Sequence, residues 1–315
     1  MIIILNFPIC WKLFKLLITK LLNNNFISLI FILANLVRIL INNMLLLNNN
    51  IKNNNQQVTK DTNLVGTSET IREILNKKDK KFNEWLAGLI DGDGYFGITQ
   101  KKYPNCEITV SLEDEKALQQ IKQKFGGSIK LRSNVKAVRY RLHNYKGMIN
   151  LINAVNGNIR NSKRLIQLHK VCNLLNIKPL SPIKLSYDNS WFIGFFDADG
   201  TITYSFKNNY PQLTISVTNK YLHDIVYFKD IFKGNIYFDK AQNGYFKWMI
   251  QSEYDINNWI YNYIRYNPSR TTKFNKLMLS KQFFELKRIK AYQKSINSVQ
   301  FKAWLNFENK WKNSC

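Results

Sequence analysis

The stretch WLAGLIDGDGYFGI, Trp85 to Ile98, decides the fold. Its first half is apolar and small enough for a buried helix, yet it runs into two aspartates and three glycines. Carboxylates are stabilised near helix N-termini, because the macrodipole leaves partial negative charge at the other end. Asp91 and Asp93 therefore stand where a helix tolerates them least. The pattern then returns: NEWLAGLIDGDGYFGI from Asn83 is echoed by NSWFIGFFDADGTITY from Asn189, with Asp93 and Asp199 separated by 106 residues (199 minus 93). Pro104 and Pro211 follow 11 and 12 residues after those aspartates, and Phe125 and Phe232 follow 32 and 33 after them. One extra residue in a turn of the second copy accounts for both offsets. RNSK, Arg160 to Lys163, and RTTK, Arg270 to Lys273, each precede an apolar helical stretch. The body of the chain is a tandem duplication.

After each motif the hydrophobic period changes from helical to two. Phe96 and Ile98 alternate with Tyr95, Gly97 and Thr99; Ile202, Tyr204 and Phe206 alternate with Thr201, Thr203 and Ser205. Such alternation marks strands with one buried and one wet face. Return strands follow through Ile108 and Val110, with Glu107, Thr109 and Ser111 on the wet side, and through Ile215 and Val217. A helix is expected over Glu113 to Phe125 and Tyr221 to Phe232, and two more strands within Ser128 to Leu142 and Asn235 to Ile250. The fold class is α+β, with αββαββα halves at residues 81–178 and 189–315 joined by a linker at 179–188. Pro179 and Pro182 break helix there, and Asn189 or Ser190 can cap the second motif helix.

The 315 residues carry 46 Lys plus Arg against 21 Asp plus Glu, a formal net charge of +25 that calls for a polyanionic partner. Lys101, Lys130, Arg132, Arg139, Arg141, Lys207 and Lys247 fall on or beside the wet strand faces, where phosphate and base-edge contacts to duplex DNA are expected. Cys10, Cys106, Cys172 and Cys315 form no C-x-x-C pair, so reduced structural thiols are expected. Residues 1–80 form an apolar and then Asn-rich extension. Phe26 to Leu47 has the length of a bilayer span, but Asn35, Arg38, Asn42 and Asn43 lie inside it and oppose insertion. Membrane contact of this segment is the weaker alternative. Heavy use of Ile, Asn, Lys, Leu, Phe and Tyr points to an AT-rich gene, for which an organelle genome, the mitochondrial one, is the expectation.

Gly88 and Gly92, and likewise Gly194 and Ala198, put small residues on one helical face. Two such helices can cross with backbones nearly touching, which would bring Asp93 and Asp199 together at two negative dipole ends. Paired carboxylates of that kind suit a hard divalent cation, Mg²⁺ or Mn²⁺, completed by water and phosphate oxygens, and metal-assisted phosphodiester hydrolysis follows. An EF-hand is excluded, since Tyr95 and Lys102 occupy the fifth and twelfth loop positions.

At these residues the chain resembles the LAGLIDADG homing endonucleases of the single-chain, two-motif class. LAGLIDGDG, Leu86 to Gly94, differs from the family name at Gly92; FIGFFDADG, Phe192 to Gly200, keeps Gly194 and the D-A-D-G ending. The resemblance implies a pseudo-twofold saddle of two antiparallel sheets over a long DNA target, in a monomer. It implies metal at Asp93 and Asp199, with the carbonyls of Gly92 and Ala198 contributing, and Gly88 and Gly194 at the helix interface. Arg160, Lys163, Arg270 and Lys273 match the basic residues near the scissile phosphates, the lysines first. Intron homing by site-specific cleavage is the implied function. The alternative is an intron maturase that assists group I intron RNA splicing, with or without cleavage; a silent DNA-binding regulator would not retain two costly aspartates.

Overall fold

A computed structural model describes residues 65–240 and 244–314. Phe26 to Leu47, the Asn-rich stretch before Val65, Cys10 and Cys315 lie outside the described residues. The chain divides into two units, Met1–Thr70 and Ile71–Cys315. Of the first, only the opening residues of a helix are described. That helix, α1, spans Val65–Asp93, so it begins ahead of the boundary expected at Lys81. Among the described residues no helix is long and apolar enough to cross a membrane.

The second unit is two copies of one pattern. In the first, α1 is followed by β1 (Gly94–Thr99), β2 (Tyr103–Ser111), α2 (Glu115–Phe125), β3 (Ser128–Leu131), β4 (Ala137–Leu142), α3 (Tyr145–Val155) and α4 (Ser162–Leu174). In the second, α5 (Trp191–Asp199) is followed by β5 (Gly200–Lys207), β6 (Tyr210–Asn219), α6 (Phe228–Phe232), β7 (Asn235–Asp239), β8 (Tyr245–Ile250), α7 (Glu253–Trp259) and α8 (Lys273–Arg288), with α9 (Val299–Lys312) added at the end. Each half holds one four-stranded antiparallel sheet, in the orders β1-β2-β4-β3 and β5-β6-β8-β7. The helix expected over Tyr221 to Phe232 is largely broken up. Leu222–Asp224 is a 3-10 turn, and α6 has only five residues.

Both motif helices end at the second aspartate of D-x-D-G because the next residue folds the chain straight back into a strand. A side chain at Gly94 would meet the Ile90 backbone at 2.6 Å, and one at Gly200 would meet the Phe196 carbonyl at 2.3 Å. Space, not a left-handed turn, demands glycine here: Gly200 has φ −77. At the start of α5, Asn189 accepts a hydrogen bond from the Trp191 N–H (2.8 Å), while the Ser190 hydroxyl turns away to Asn267 (2.7 Å).

The cores of the halves differ in chemistry. The first is mainly aliphatic, built from Ile108, Leu118, Ile121, Val138, Leu151 and their neighbours. The second is aromatic and centred on Phe192, whose ring lies 4.1 Å from Phe232, 4.8 Å from Phe228 and 5.3 Å from Trp248. Cys106 and Cys172 are buried free thiols in the first half, in keeping with a structural role.

Candidate active site

The two motif helices touch backbone to backbone. A Cβ on Gly88 would lie 1.9 Å from the Trp191 carbonyl oxygen, and one on Gly194 would lie 1.9 Å from the Trp85 carbonyl oxygen. Gly92 faces Ala198, where an added Cβ would sit 2.3 Å from the alanine methyl and 3.1 Å from Asp199 Oδ2. Small residues thus let the C-terminal ends of α1 and α5 converge, and Asp93 and Asp199 stand together there, both half-buried.

A reciprocal set of hydrogen bonds ties the halves around this crossing. Asp91 Oδ2 accepts from Trp191 Nε1 (2.7 Å) and from the Arg160 N–H (2.7 Å). Asp197 Oδ2 accepts in turn from Trp85 Nε1 (2.9 Å) and the Arg270 N–H (2.9 Å). Asp114 accepts from the Thr272 N–H (2.7 Å), and Asp224 from the Ser162 N–H (3.1 Å). Each acid of one half therefore anchors a residue of the other. The two aspartates of D-x-D-G divide the work, the first fastening the interface and the second facing the site. Asp91, Asp197 and the two tryptophans carry a signal in sequence, since each pair repeats at the same spacing as Asp93 and Asp199, but a local reading has no means of assigning their partners.

The negative helix ends are met by cations. Lys273 Nζ donates to the carbonyls of Phe196 (3.0 Å), Asp197 (2.7 Å) and Ala198 (2.9 Å) at the end of α5. On α1 the same service falls to Arg164, with Nε on the Ile90 carbonyl (3.2 Å) and Nη2 on the Gly92 carbonyl (3.4 Å). Lys163, which aligns with Lys273 in the repeat, is exposed instead. The helices begin at nearly the same repeat position, α4 at Ser162 and α8 at Lys273 after a Thr272 that is already helical in its dihedrals. Arg164 follows Lys163 by one residue, about 100° round the helix, and so faces the carbonyls that Lys163 does not. Arg160 and Arg270 lie over Trp191 (5.4 Å) and Trp85 (5.0 Å), in cation-π contact across the interface rather than beside the carboxylates.

Electrostatics fit a cation-seeking site. Burial pushes the Asp93 carboxyl up to about 7, helped by the neighbouring Asp199 charge and opposed by Lys273 and Arg164. Burial likewise raises Asp199, again against Lys273 and Arg164. Desolvation lowers Lys273 and Arg164 in turn. Beside Asp199 opens a cavity of about 450 Å³, lined also by Gly92, Lys163, Arg164, Asn219 and Lys220. Among the described residues no three acidic, histidine or cysteine side chains converge. The two carboxylates, in mutual repulsion, fit a hard divalent ion, whereas the Gly92 and Ala198 carbonyls, expected to contribute, instead accept from Arg164 and Lys273. Such an ion needs water and substrate oxygens to complete its shell, as Mg²⁺ ordinarily does.

The basic residues expected on the wet faces divide unevenly. Lys130, Arg139 and Arg141 share one face of the first sheet, where Lys130 pairs with Arg139 across β3 and β4. Arg132 lies exposed past the end of β3 and Lys101 in the turn after β1. In the second sheet Lys247 pairs with Thr218 and Tyr237, and Lys207 ends β5. That face is mostly hydroxyl and aromatic.

The LAGLIDADG endonuclease family model matches residues 86–175 and 192–284. The probable intron-encoded endonuclease aI2 of Debaryomyces hansenii is 57% identical, over 78% of this chain and 40% of its own length. The intron-encoded RNA maturase bI4 of Saccharomyces cerevisiae is 53% identical, over 82% of this chain and 47% of its own. The chain thus spans less than half the length of these relatives. The I-LtrWI LAGLIDADG homing endonuclease, solved bound to target DNA, shares the fold with a TM-score of 0.56 at 16% identity, covering 74% of this chain and 98% of that one.

Proposed function

This chain belongs to the LAGLIDADG endonuclease family, and on that premise we propose that it is an intron-encoded, site-specific DNA endonuclease that promotes intron homing by hydrolysing one phosphodiester bond in each strand. The observation that carries the reading is the convergence of Asp93 and Asp199 at the ends of two helices in backbone contact, between two sheets with wet, largely polar faces.

In this reading Asp93 and Asp199 hold divalent cations, Mg²⁺ first, and the bound ions supply Lewis acidity to the phosphodiester. Lys273 and Arg164 fix the helix ends and offset the charge that the two carboxylates accumulate. Lys163, on the rim of the cavity beside Asp199, is placed to meet a phosphate oxygen. The sheets hold the duplex, with Lys130, Arg132, Arg139 and Arg141 on one half-site and Lys207 and Lys247 on the other. Residues 81–178 and 189–315 act as the two halves of a monomer, in the mitochondrion that would encode it.

A plasmid carrying the intronless allele of the host gene tests this. Mg²⁺-dependent linearisation by the wild-type chain is expected, abolished by Asp93→Asn and reduced to nicking or lost in Asp199→Asn. Wild-type protein that binds the plasmid but never cuts it refutes the nuclease reading. A second reading rests on the 53% identity to an RNA maturase: the same chain assists splicing of its group I intron RNA. Splicing rescue by Asp93→Asn protein would establish that role apart from cutting.

A further inference from the structure

One acid stands where a DNA-binding surface has least use for it. Glu107 lies on the wet face of β2, directly opposite Arg141 on β4. Its Oε1 is 3.0 Å from Arg141 Nε, and its Oε2 is 3.1 Å from Arg139 Nη1, both as ion pairs rather than aligned hydrogen bonds. Arg139 is held at a second point, its Nε donating to Thr109 Oγ1 (3.3 Å). A carboxylate facing a polyanion weakens binding, and partly exposed ion pairs contribute little to stability. Neither term explains a single acid bridging two arginines in a chain of net charge +25.

Orientation does. An unrestrained arginine on such a face turns to the nearest phosphate, where it adds affinity without sequence information. The carboxylate repels phosphate and holds both guanidinium groups by ion pairing, so less side-chain freedom is lost on binding. Arg141 keeps 42% of its side chain exposed, and its terminal nitrogens donate to none of the described residues. That free fork matches the O6 and N7 acceptors of guanine in the major groove. In the second sheet the register puts Ser216 in the place of Glu107, between Thr201 and Met249 as Glu107 lies between Tyr95 and Arg141, and Lys247 and Met249 stand where Arg139 and Arg141 do, so no such triad forms there.

We propose that Glu107 is a specificity-determining residue: by clamping Arg139 and Arg141 it aims the free end of Arg141 at a guanine in the half-site under the first sheet, and only there. The assignment rests on the sheets being the DNA surface. Its test is equilibrium binding, in EDTA to prevent cutting, of the full chain to the intronless-allele duplex and to the set of duplexes bearing each single base-pair change. Wild type should prefer guanine by about tenfold or more at one position in one half-site. Glu107→Gln and Glu107→Thr should cut that preference at least fivefold and leave the other half-site's profile unchanged. Both should also bind unrelated duplex more tightly, with a steeper salt dependence. Arg141→Lys should erase the same preference. Glu107→Thr is β-branched and keeps β propensity, so it guards against a folding defect. Profiles that superimpose on wild type, or that shift uniformly at all positions, overturn the assignment. A wild-type chain that discriminates at no position overturns the DNA reading as well.

Discussion

Gly88→Ala adds one methyl group at the point where the helices touch. Its carbon would lie 1.9 Å from the Trp191 carbonyl oxygen and 2.6 Å from the Phe195 nitrogen. Real Cβ atoms essentially never come closer than 3.0 Å, so the helices must part by at least 1.1 Å (3.0 minus 1.9). Both obstacles are backbone and have no rotamer to escape into. Helix propensity favours alanine by about 1 kcal/mol, while overpacking costs about 1–3 kcal/mol or more. With backbone against backbone the upper end applies, leaving a net loss of about 2 kcal/mol. Parting the helices also draws Asp93 from Asp199, and a misplacement of about 1 Å can cost about 10²-fold in rate. Gly92→Ala is milder: its methyl would sit 2.3 Å from the Ala198 methyl, needing at least 0.7 Å (3.0 minus 2.3). There the obstacle is a side chain, so Gly92→Ala combined with Ala198→Gly exchanges the two residues across the pseudo-twofold axis and should restore most of the stability and cleavage. No second change at Trp191 can rescue Gly88→Ala, because the clash is with its backbone. Melting curves and plasmid cleavage rates on the four proteins test this. A Gly88→Ala chain that melts and cuts like wild type refutes the backbone-contact argument.

The remaining predictions concern the charges. Burial holds Asp91 at about 7, above its unfolded value of about 4; the folded state therefore keeps a proton that the unfolded chain has released. Metal-free stability should fall as pH rises from about 4 to about 7 and level off above, a slope that Asp91→Asn should reduce; a slope equal in both proteins would count against it. Lys273→Met strips three carbonyls of a charged donor and should lower stability by about 1.5–3 kcal/mol, whereas Lys163→Ala, exposed, should leave the melting temperature unchanged. DNA affinity should fall linearly in a plot of log K against log salt, with a slope of about −0.9 for each phosphate neutralised. A flat response would remove the sheets as the DNA surface.

Much of this protein is legible in the amino-acid order alone, because the informative features are local. Helical spacing of Gly88 with Gly92, and of Gly194 with Ala198, announces a close crossing. Period-two alternation around Phe96, Ile108, Ile202 and Ile215 announces the strands, and the repeat itself announces two halves. Propensity overreaches at Tyr221 to Phe232, where the second copy forms a turn and a short helix around the aromatic core.

Partner choice is not legible in this way. The repeat pairs Lys163 with Lys273, yet it is Arg164, one residue on, whose side chain reaches the carbonyls at the end of α1. Asp91 and Asp197 read as companions of the motif aspartates, but in the folded chain each holds a tryptophan of the other half. Glu107 reads as one polar residue on a wet strand, and only the β2–β4 register sets it between two arginines. Periodicity is written within a few consecutive residues, so sequence alone determined the elements and their faces. Reach, register and charge compensation depend on groups more than 30 residues apart, which only the folded chain brings within hydrogen-bonding distance.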